Sequence, residues 1–206
     1  MTRPPSPRRR LEPDKRREQI LSCAIRMFGE RPYAAVSTTD LAREAGVARG
    51  LINHYFGTKR DLYLAVVRQM TTIPPRSLTI PDGSVRERAA HSVRWLLDVI
   101  ERHGKTWVAV MGAEGVGDDP EVQAILDDAD TAAAEHVLDL LGTPAPRPAA
   151  LAAVRAYGGM VKAAGREWIR RGSLTREQAE QLLNDTLLAI IEQTFPALDG
   201  SNAAVM

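Results

Sequence analysis

The sequence has a single cysteine, few aromatic residues and no long run of apolar side chains. One thiol, Cys23, excludes a disulfide framework, and its apolar neighbours favour a small residue in or beside the core over a redox site. No apolar segment approaches the roughly 18 residues of a membrane span. The arginine- and proline-rich N-terminus lacks the apolar segment of a secretory signal. These absences predict a cytoplasmic protein that does not contact a membrane.

Motifs for catalysis and for metal or cofactor binding are also missing. The glycine-rich stretch 112–117 lacks both the Gly-x-Gly-x-x-Gly spacing and the Gly-Lys-Ser/Thr ending of a phosphate loop. The four histidines share no ligand spacing, and no nucleophile–base pair stands out. We therefore expect no enzyme, no cofactor and no metal. A divalent cation at the acidic residues of segment 118–139 is a minor alternative to a solvated face.

Charge is divided unevenly along the chain, although its net value is only +1. Residues 1–60 hold 13 Lys/Arg against 6 Asp/Glu, whereas residues 61–206 hold 14 against 20. A basic front and an acidic rear indicate that only the front meets a polyanion. Residues 1–13 combine four prolines with three consecutive arginines, which predicts a disordered basic arm. That arm either contacts DNA or is a solvated tail without a role.

Apolar residues recur at helical spacing through the rest of the chain, and no strand alternation is present. The pattern predicts an all-α fold of about nine helices, one of which ends at Gly104 and is followed by a short helix at 105–111. Capping pairs spaced three residues apart mark four of the predicted helix starts. These pairs are Ser37 with Asp40, Thr58 with Asp61, Ser84 with Glu87, and Thr175 with Gln178.

The segment from Ser37 to Phe56 is the most informative part of the chain. Leu41, Ala42 and Ala45 share one face of a short helix, and Ile52 and Phe56 lie on the apolar face of a second one. Gly46 stands between them, where a tight turn requires positive φ. This is the helix-turn-helix pattern, which places its second helix in the DNA major groove.

The arrangement resembles the TetR (tetracycline-repressor) family of bacterial transcription regulators. The resemblance covers about a quarter of the chain, from Ile20 to Val67, and includes the turn at Gly46, Arg49-Gly50 and the run His54-Tyr55-Phe56. It implies a homodimer with an N-terminal helix-turn-helix domain and a C-terminal domain for ligand binding and dimerisation. The expected boundaries are 1–13 for the arm, 14–58 for the DNA-binding domain and 59–200 for the C-terminal domain, with 59–72 as a connecting helix.

The resemblance also implies which side chains contact DNA. In the family, hydroxyls at the start of the first short helix face phosphate, the first residues of the recognition helix approach the bases, and its end holds phosphate. This chain departs from the family at Ala48, where Ser or Thr is usual, and at Asn53, where Tyr is frequent. The implied DNA contacts are Ser37, Thr38, Thr39, Arg49, Gly50, Asn53, His54, Tyr55 and Lys59.

Two further sets of residues are expected in the C-terminal domain. Large aromatics with nearby polar groups suggest a ligand pocket, although aromatics at helical spacing are more often core. Two apolar C-terminal helices, one with a flanking face of small residues, are the expected dimer interface. The pocket candidates are His91, Arg94, Trp95, Trp107, Met111 and Glu114. The interface candidates are Val154, Tyr157, Val161, Trp168, Leu183, Leu187, Ile190 and Ile191. Two of these aromatics, Tyr157 and Trp168, are also candidates for the wall of the pocket.

The expected function is a homodimeric repressor that leaves its operator when a small molecule binds. Pairing at the rear would set the two recognition helices roughly 34–36 Å apart, which matches successive major grooves. Control by a protein partner and architectural DNA binding without a ligand remain open as alternatives.

Overall fold

A computed structural model describes residues 13–72, 82–111, 119–142 and 148–198, and these residues form eight α-helices and no strand. The all-α prediction is confirmed. Residues 1–12 of the predicted arm, the glycine-rich stretch 112–117 and residues 199–200 lie outside the described residues, whereas Pro13 begins α1. The helices are α1 (Pro13–Glu30), α2 (Thr38–Glu44), α3 (Arg49–Phe56), α4 (Lys59–Thr71), α5 (Val85–Met111), α6 (Pro120–Leu141), α7 (Pro148–Gly165) and α8 (Arg176–Ala189). A 3-10 turn at Tyr33–Ala35 and π-helical turns at Arg166–Arg171 and Ile190–Thr194 complete the order.

The four predicted capping pairs are present and fix where helices begin. Thr58 and Thr175 each accept a hydrogen bond from the backbone N–H three residues on, and the side chain at that position accepts one in return. Such reciprocal bonds satisfy two backbone donors that a helix start otherwise leaves without partners. These four helix starts could therefore be predicted from short polar motifs in the sequence.

Helix α5 runs through Gly104, where the sequence predicts the end of one helix and the start of another. Gly104 adopts φ 48° and ψ −126°, a conformation outside the helical region, and helical structure continues on both sides of it. Glycine reaches positive φ without the clash that a Cβ would cause. The difference between nine predicted and eight observed helices comes from this kink, across which α5 runs as one element.

Two main apolar clusters hold the helices together. The first fills the space between α1, α2, α3 and α4 and takes in Val110 of α5 and Val122 of α6. The second joins α5, α7 and α8 around Leu97, Leu183 and Leu187. Because α1 also packs along α5 and α4 along α6, the N-terminal module shares its core with the rear of the molecule. No helix within the described ranges is both long enough and apolar enough to cross a bilayer.

Candidate DNA interface and ligand cavity

The turn between α2 and α3 is fixed from several sides. Gly46 adopts φ 63°, and the N–H of Val47 donates to the carbonyl of Ala42 at 2.9 Å. The side-chain amide of Gln19 on α1 donates to the carbonyl of Ala45 at 2.9 Å. This last bond ties the turn to α1 and was not predicted, because a contact spanning 26 residues leaves no short motif in the sequence.

Helix α3 has one buried and one open face. Ile52 is fully buried and Phe56 is 9% exposed, and both belong to the first apolar cluster. The guanidinium of Arg17 lies over the ring of Phe56 at 4.9 Å. The opposite face presents the predicted base-reading positions, which are all exposed. They are Arg49, Gly50, Asn53 and His54.

The start of α2 presents hydroxyl groups, but one of them already serves the helix. The Ser37 hydroxyl accepts from the Asp40 N–H at 3.0 Å and donates to its carboxylate at 2.6 Å. Thr39 is exposed and Thr38 half-buried at the first two helical positions. The two threonines, together with backbone N–H groups of the first turn, form a surface suited to a phosphate.

The two predicted phosphate ligands at the end of the module differ in their surroundings. Tyr55 is half-buried, and its ring lies edge-on to His54 with centroids 5.1 Å apart. The ammonium of Lys59 donates to the carbonyl of Tyr33 at 2.7 Å and lies 4.0 Å above its ring centre. Burial lowers the pKa of Lys59. Lys59 is thus held against the module, so a phosphate would meet an ammonium that is already positioned.

A cavity of about 550 Å³ lies among α1, α4, α5, α6 and α7. Its wall is mainly apolar, and it reaches Ser22 and Ile25 of α1 and the last residues of α4. A second cavity of about 520 Å³ lies where the end of α1 meets α5 and has Glu30, Arg31 and Lys105 in its wall. Small-molecule sites are predominantly apolar with a few placed polar groups, so the first cavity is the better candidate.

Two of the six predicted pocket residues line the apolar cavity, and the other four are not among its described wall residues. Trp95 and Trp107 line the apolar cavity. His91 and Arg94 are on α5 but are not among its wall residues. Met111 ends α5 with its side chain undescribed, and Glu114 lies outside the described residues.

Five of the eight predicted dimer-interface residues are buried within one chain, and the other three are half-buried. Val154, Tyr157 and Val161 line the apolar cavity, and the Tyr157 hydroxyl donates to the Leu183 carbonyl at 3.0 Å. Burial raises the pKa of Tyr157 above its ordinary value. Leu183 and Leu187 are 0% and 2% exposed in the second cluster, and half-buried residues pack against that cluster. These last are Trp168, Ile190 and Ile191.

The sequence pattern leaves open what covers these residues, for a simple physical reason. A continuous apolar face on a helix predicts burial, but it does not say whether the covering surface belongs to the same chain. Here α5 covers the apolar face of α8. The apolar face of α7 packs partly into the second cluster and partly lines the cavity. The small-residue face of α7 is more open: Ala152, Ala156 and Gly159 are exposed.

Charged side chains join α4 to the start of α6. Arg60 donates to both carboxylate oxygens of Asp119 at 2.6 and 2.7 Å, and Glu121 pairs with Arg60 at 3.0 Å and with Arg68 at 2.8 Å. Asp119 is also the N-cap of α6 and accepts from the N–H groups of its first turn. Hydrogen bonds from Arg60 hold the pKa of Asp119 at about 2. This junction ties the helix after the recognition helix to a wall of the cavity.

No group of three or more His, Cys, Asp or Glu side chains that would hold a metal ion occurs among the residues that the structure describes. The lone thiol of Cys23 is buried, and burial raises its pKa, which makes it a poor nucleophile.

Family models match both halves of the chain. The model for bacterial regulatory proteins of the tetR family matches residues 20–66, and the model for a tetracyclin repressor-like C-terminal domain matches residues 85–190. The chain belongs to the TetR family, as the resemblance implied. The matched relatives and the fold are those of transcriptional regulators, which also confirms the prediction that the chain is not an enzyme.

Individual relatives share part of the sequence. The transcriptional activator FasR of Mycolicibacterium smegmatis is 31% identical over 137 residues, which cover 64% of this chain and 61% of FasR. The transcriptional regulator BetI of Brucella canis is 42% identical over 64 residues, 31% of this chain and 32% of BetI. The chain thus spans less than two thirds of the length of these relatives.

Solved structures share the fold over most of the chain. A tetR-family regulator from Streptomyces coelicolor superposes with a TM-score of 0.76 at 23% identity, covering 93% of this chain and 87% of that one. The fatty acid degradation regulator FadR of Bacillus halodurans superposes with a TM-score of 0.64 at 16% identity, covering 90% and 98%. At these identities the likeness extends to the fold alone.

Proposed function

We propose that this chain is a cytoplasmic, homodimeric and sequence-specific DNA-binding regulator, a repressor that a small molecule releases from its operator. The observation that carries the proposal is the open face of α3, where Arg49, Asn53 and His54 are exposed while Ile52 and Phe56 anchor the helix. Arginine can bond guanine O6 and N7, and asparagine can bond adenine N6 and N7. Gly50 leaves the backbone free of a side chain between them, so it can approach the bases.

Control by a ligand is supported by where the apolar cavity lies. Its wall includes residues of α1 and α4, which belong to or adjoin the DNA-binding module, as well as α6, which Arg60 ties to α4. A molecule bound there contacts the elements that orient the recognition helix. It changes DNA affinity only by as much as it discriminates between the forms that do and do not fit the operator.

Dimerisation is supported by the open side of α7 and α8. Ala152, Ala156 and Gly159 form an exposed face of small residues on α7, which lets another helix approach closely. Leu182 on α8 is 43% exposed and is the large apolar side chain most open to solvent in the described part of the chain. We propose that two copies pair through these exposed residues of α7 and α8. The buried residues that the sequence predicts for the interface are not part of this surface.

Activation is a second candidate output. The relative with 31% identity over 137 residues is named an activator. Repression requires only that a bound dimer obstruct the promoter, whereas activation requires a productive contact with the transcription machinery. A reporter placed behind the selected operator separates the two, because deleting the regulator raises expression in one case and lowers it in the other.

The proposal is tested by selecting bound duplexes from random DNA with the full chain. A regulator should enrich one near-palindromic site and prefer it by about 10³-fold or more over random sequence. An architectural protein would bind at low salt without enrichment, which would overturn the proposal. A metabolite library is then screened by thermal shift, since a ligand that binds the folded state raises its unfolding temperature. Complete absence of a shift would favour control by a protein partner.

A further inference from the structure

The apolar cavity has an unequal set of charges in its wall. Among the wall residues that the structure describes, Arg102 and Lys162 carry cationic side chains, and Asp130 is the single carboxylate. His103 also lines it, and burial together with the nearby Arg102 lowers its pKa, which leaves it neutral at pH 7. The described part of the lining therefore carries a formal charge of +1 beside a mainly apolar surface.

One ion pair holds two of these charges together. The ammonium of Lys162 on α7 donates to the carboxylate of Asp130 on α6 at 2.5 Å, and the two side chains are only 22% and 30% exposed. A half-buried ion is costly without a partner of opposite charge. Lys162 therefore needs Asp130 or another anion beside it, and Asp130 needs Lys162 or another cation.

We propose that the cavity takes an amphipathic anion: a molecule with an apolar body and one carboxylate, which bonds Lys162 in competition with Asp130. The inference rests on the proposed ligand response and adds the chemical class of the ligand. A neutral apolar ligand would gain nothing from the ion pair. A cationic one would have to compete with Lys162 for the single carboxylate while facing Arg102.

The exchange of partners also indicates how ligand binding in the cavity affects the DNA-binding module. Asp130 lies on α6, the helix whose first turn is held to α4 by Arg60. When a carboxylate from outside takes Lys162, α6 loses a tie to α7 and keeps its tie to α4. The ligand thereby changes the balance of contacts on the helix that connects the cavity wall to the DNA-binding module.

The test uses three probes with the same ten-carbon chain and different head groups. Decanoate, decan-1-ol and decylammonium are titrated into the full chain at pH 7 by calorimetry. The cavity volume of about 550 Å³ lies within the range of small-molecule sites, so all three are of suitable size. We expect decanoate to bind about tenfold or more tightly than decan-1-ol, because the excess of cationic side chains in the described lining attracts a carboxylate and not a neutral hydroxyl.

Two substitutions should move the affinity for decanoate in opposite directions. Lys162→Gln removes the cation and should weaken decanoate about tenfold while leaving decan-1-ol unchanged. Asp130→Asn removes the competing anion and should strengthen decanoate. Arg86→Gln breaks an exposed ion pair with Glu192 outside the cavity and removes one positive charge, as Lys162→Gln does. This control should leave the affinities for all three probes unchanged. Thermal unfolding of each variant checks that it is folded.

Several results would overturn the inference. They are equal affinity for decanoate and decan-1-ol, preference for decylammonium, no effect of Lys162→Gln in a folded variant, or no binding of any probe. Selection of DNA sites without a probe is measured in parallel. If site selection succeeds while the anion preference fails, only the ligand class is wrong; if site selection fails, the proposed regulatory function falls independently of the ligand.

Discussion

At the scale of single residues, helix α3 separates the side chains that hold it from those open to a duplex. Ile52 and Phe56 are buried in the first apolar cluster, so their substitution would act through stability. Arg49 and Asn53 are exposed on the other face. Their loss should act on recognition and leave the fold nearly unchanged, which makes the two kinds of position experimentally distinguishable.

Arg49→Ala is expected to weaken operator binding by about 1–3 kcal/mol and to relax the base preference at one position of each half-site. The reason is the loss of a bidentate contact to a base edge. Binding to the selected operator and to single-base variants of it measures both effects. Arg86→Ala removes the same charge from the C-terminal domain and serves as the control. An unchanged base preference in Arg49→Ala would contradict the assignment.

Lys59→Ala should weaken binding to all DNA sequences alike. If one phosphate contact is lost, the slope of log affinity against log salt should become less steep by about 0.9. The slope is measured on the operator and on unrelated duplexes. Because Lys59 also bonds the Tyr33 carbonyl, unfolding of the variant is measured alongside. A change in sequence preference would mean that Lys59 reads bases.

Two glycines in helices predict opposite effects of the same substitution. A Cβ at Gly158 meets nothing within 4 Å, so Gly158→Ala should raise the free energy of unfolding by about 0.5–1 kcal/mol. A Cβ at Gly29 would lie 2.8 Å from the Cα of Thr106, where α1 approaches α5, so Gly29→Ala should lower it by about 1–3 kcal/mol. Denaturant unfolding measures both. Equal effects would show that helix propensity outweighs close packing.

Sequence alone predicted local features well and distant partners poorly. The turn at Gly46, the break at Gly104 and the capping pairs depend on neighbouring residues, and the structure contains all of them. Tyr157 and Val161 were placed at a dimer interface because an apolar face predicts burial without identifying what covers it. Asp130 and Lys162 are 32 residues apart and carry no shared motif, so only the fold brings them together.

At the scale of elements, the junction of α4 and α6 is the main polar connection between the two halves of the molecule. Asp119 has two roles there, since it caps α6 and receives both hydrogen bonds of Arg60. Its side chain is 11% exposed and that of Arg60 is 43% exposed, so the pair is only partly screened by water. An isolated surface ion pair contributes little, but this one fixes a helix start as well.

The acid dependence of stability should report this junction. Arg60 lowers the pKa of Asp119 to about 2 in the folded chain, below its ordinary value of 3.8. A carboxylate with a depressed folded pKa contributes stability above its unfolded pKa and loses it as pH falls toward the folded pKa. The stability difference between wild type and Asp119→Asn should therefore be constant above about pH 5 and shrink between pH 4 and 2.

Denaturant unfolding at a series of pH values measures that difference. Asp127→Asn, which removes an exposed carboxylate from the same helix, controls for the change in net charge. Arg60→Ala should reproduce the loss seen in Asp119→Asn, and the double variant should lose less than the sum of the two. Additive losses, or a difference that stays constant down to pH 3, would show that the two side chains do not act as a pair.

At the scale of the whole molecule, function requires more than the single chain provides. One recognition helix reads only a half-site, and a near-palindromic operator needs two of them held at a fixed separation. The buried apolar faces of α7 and α8 are occupied within the chain, so we place the proposed pairing surface on the residues that remain exposed. Ala156 and Gly159 on α7 and Leu182 on α8 meet that requirement.

Ala156→Glu and Leu182→Glu should each convert dimers to monomers, because a carboxylate would be buried without a partner at the pairing surface. Both positions are exposed in the single chain, so folding should be retained, whereas glutamate at the buried Val161 would disrupt the core. Sedimentation gives the oligomeric state, and operator titration should show the loss of tight binding together with dimers. Ala132→Glu, an exposed position on α6, should leave both unchanged. Intact dimers in both interface variants would place the pairing surface elsewhere on the molecule.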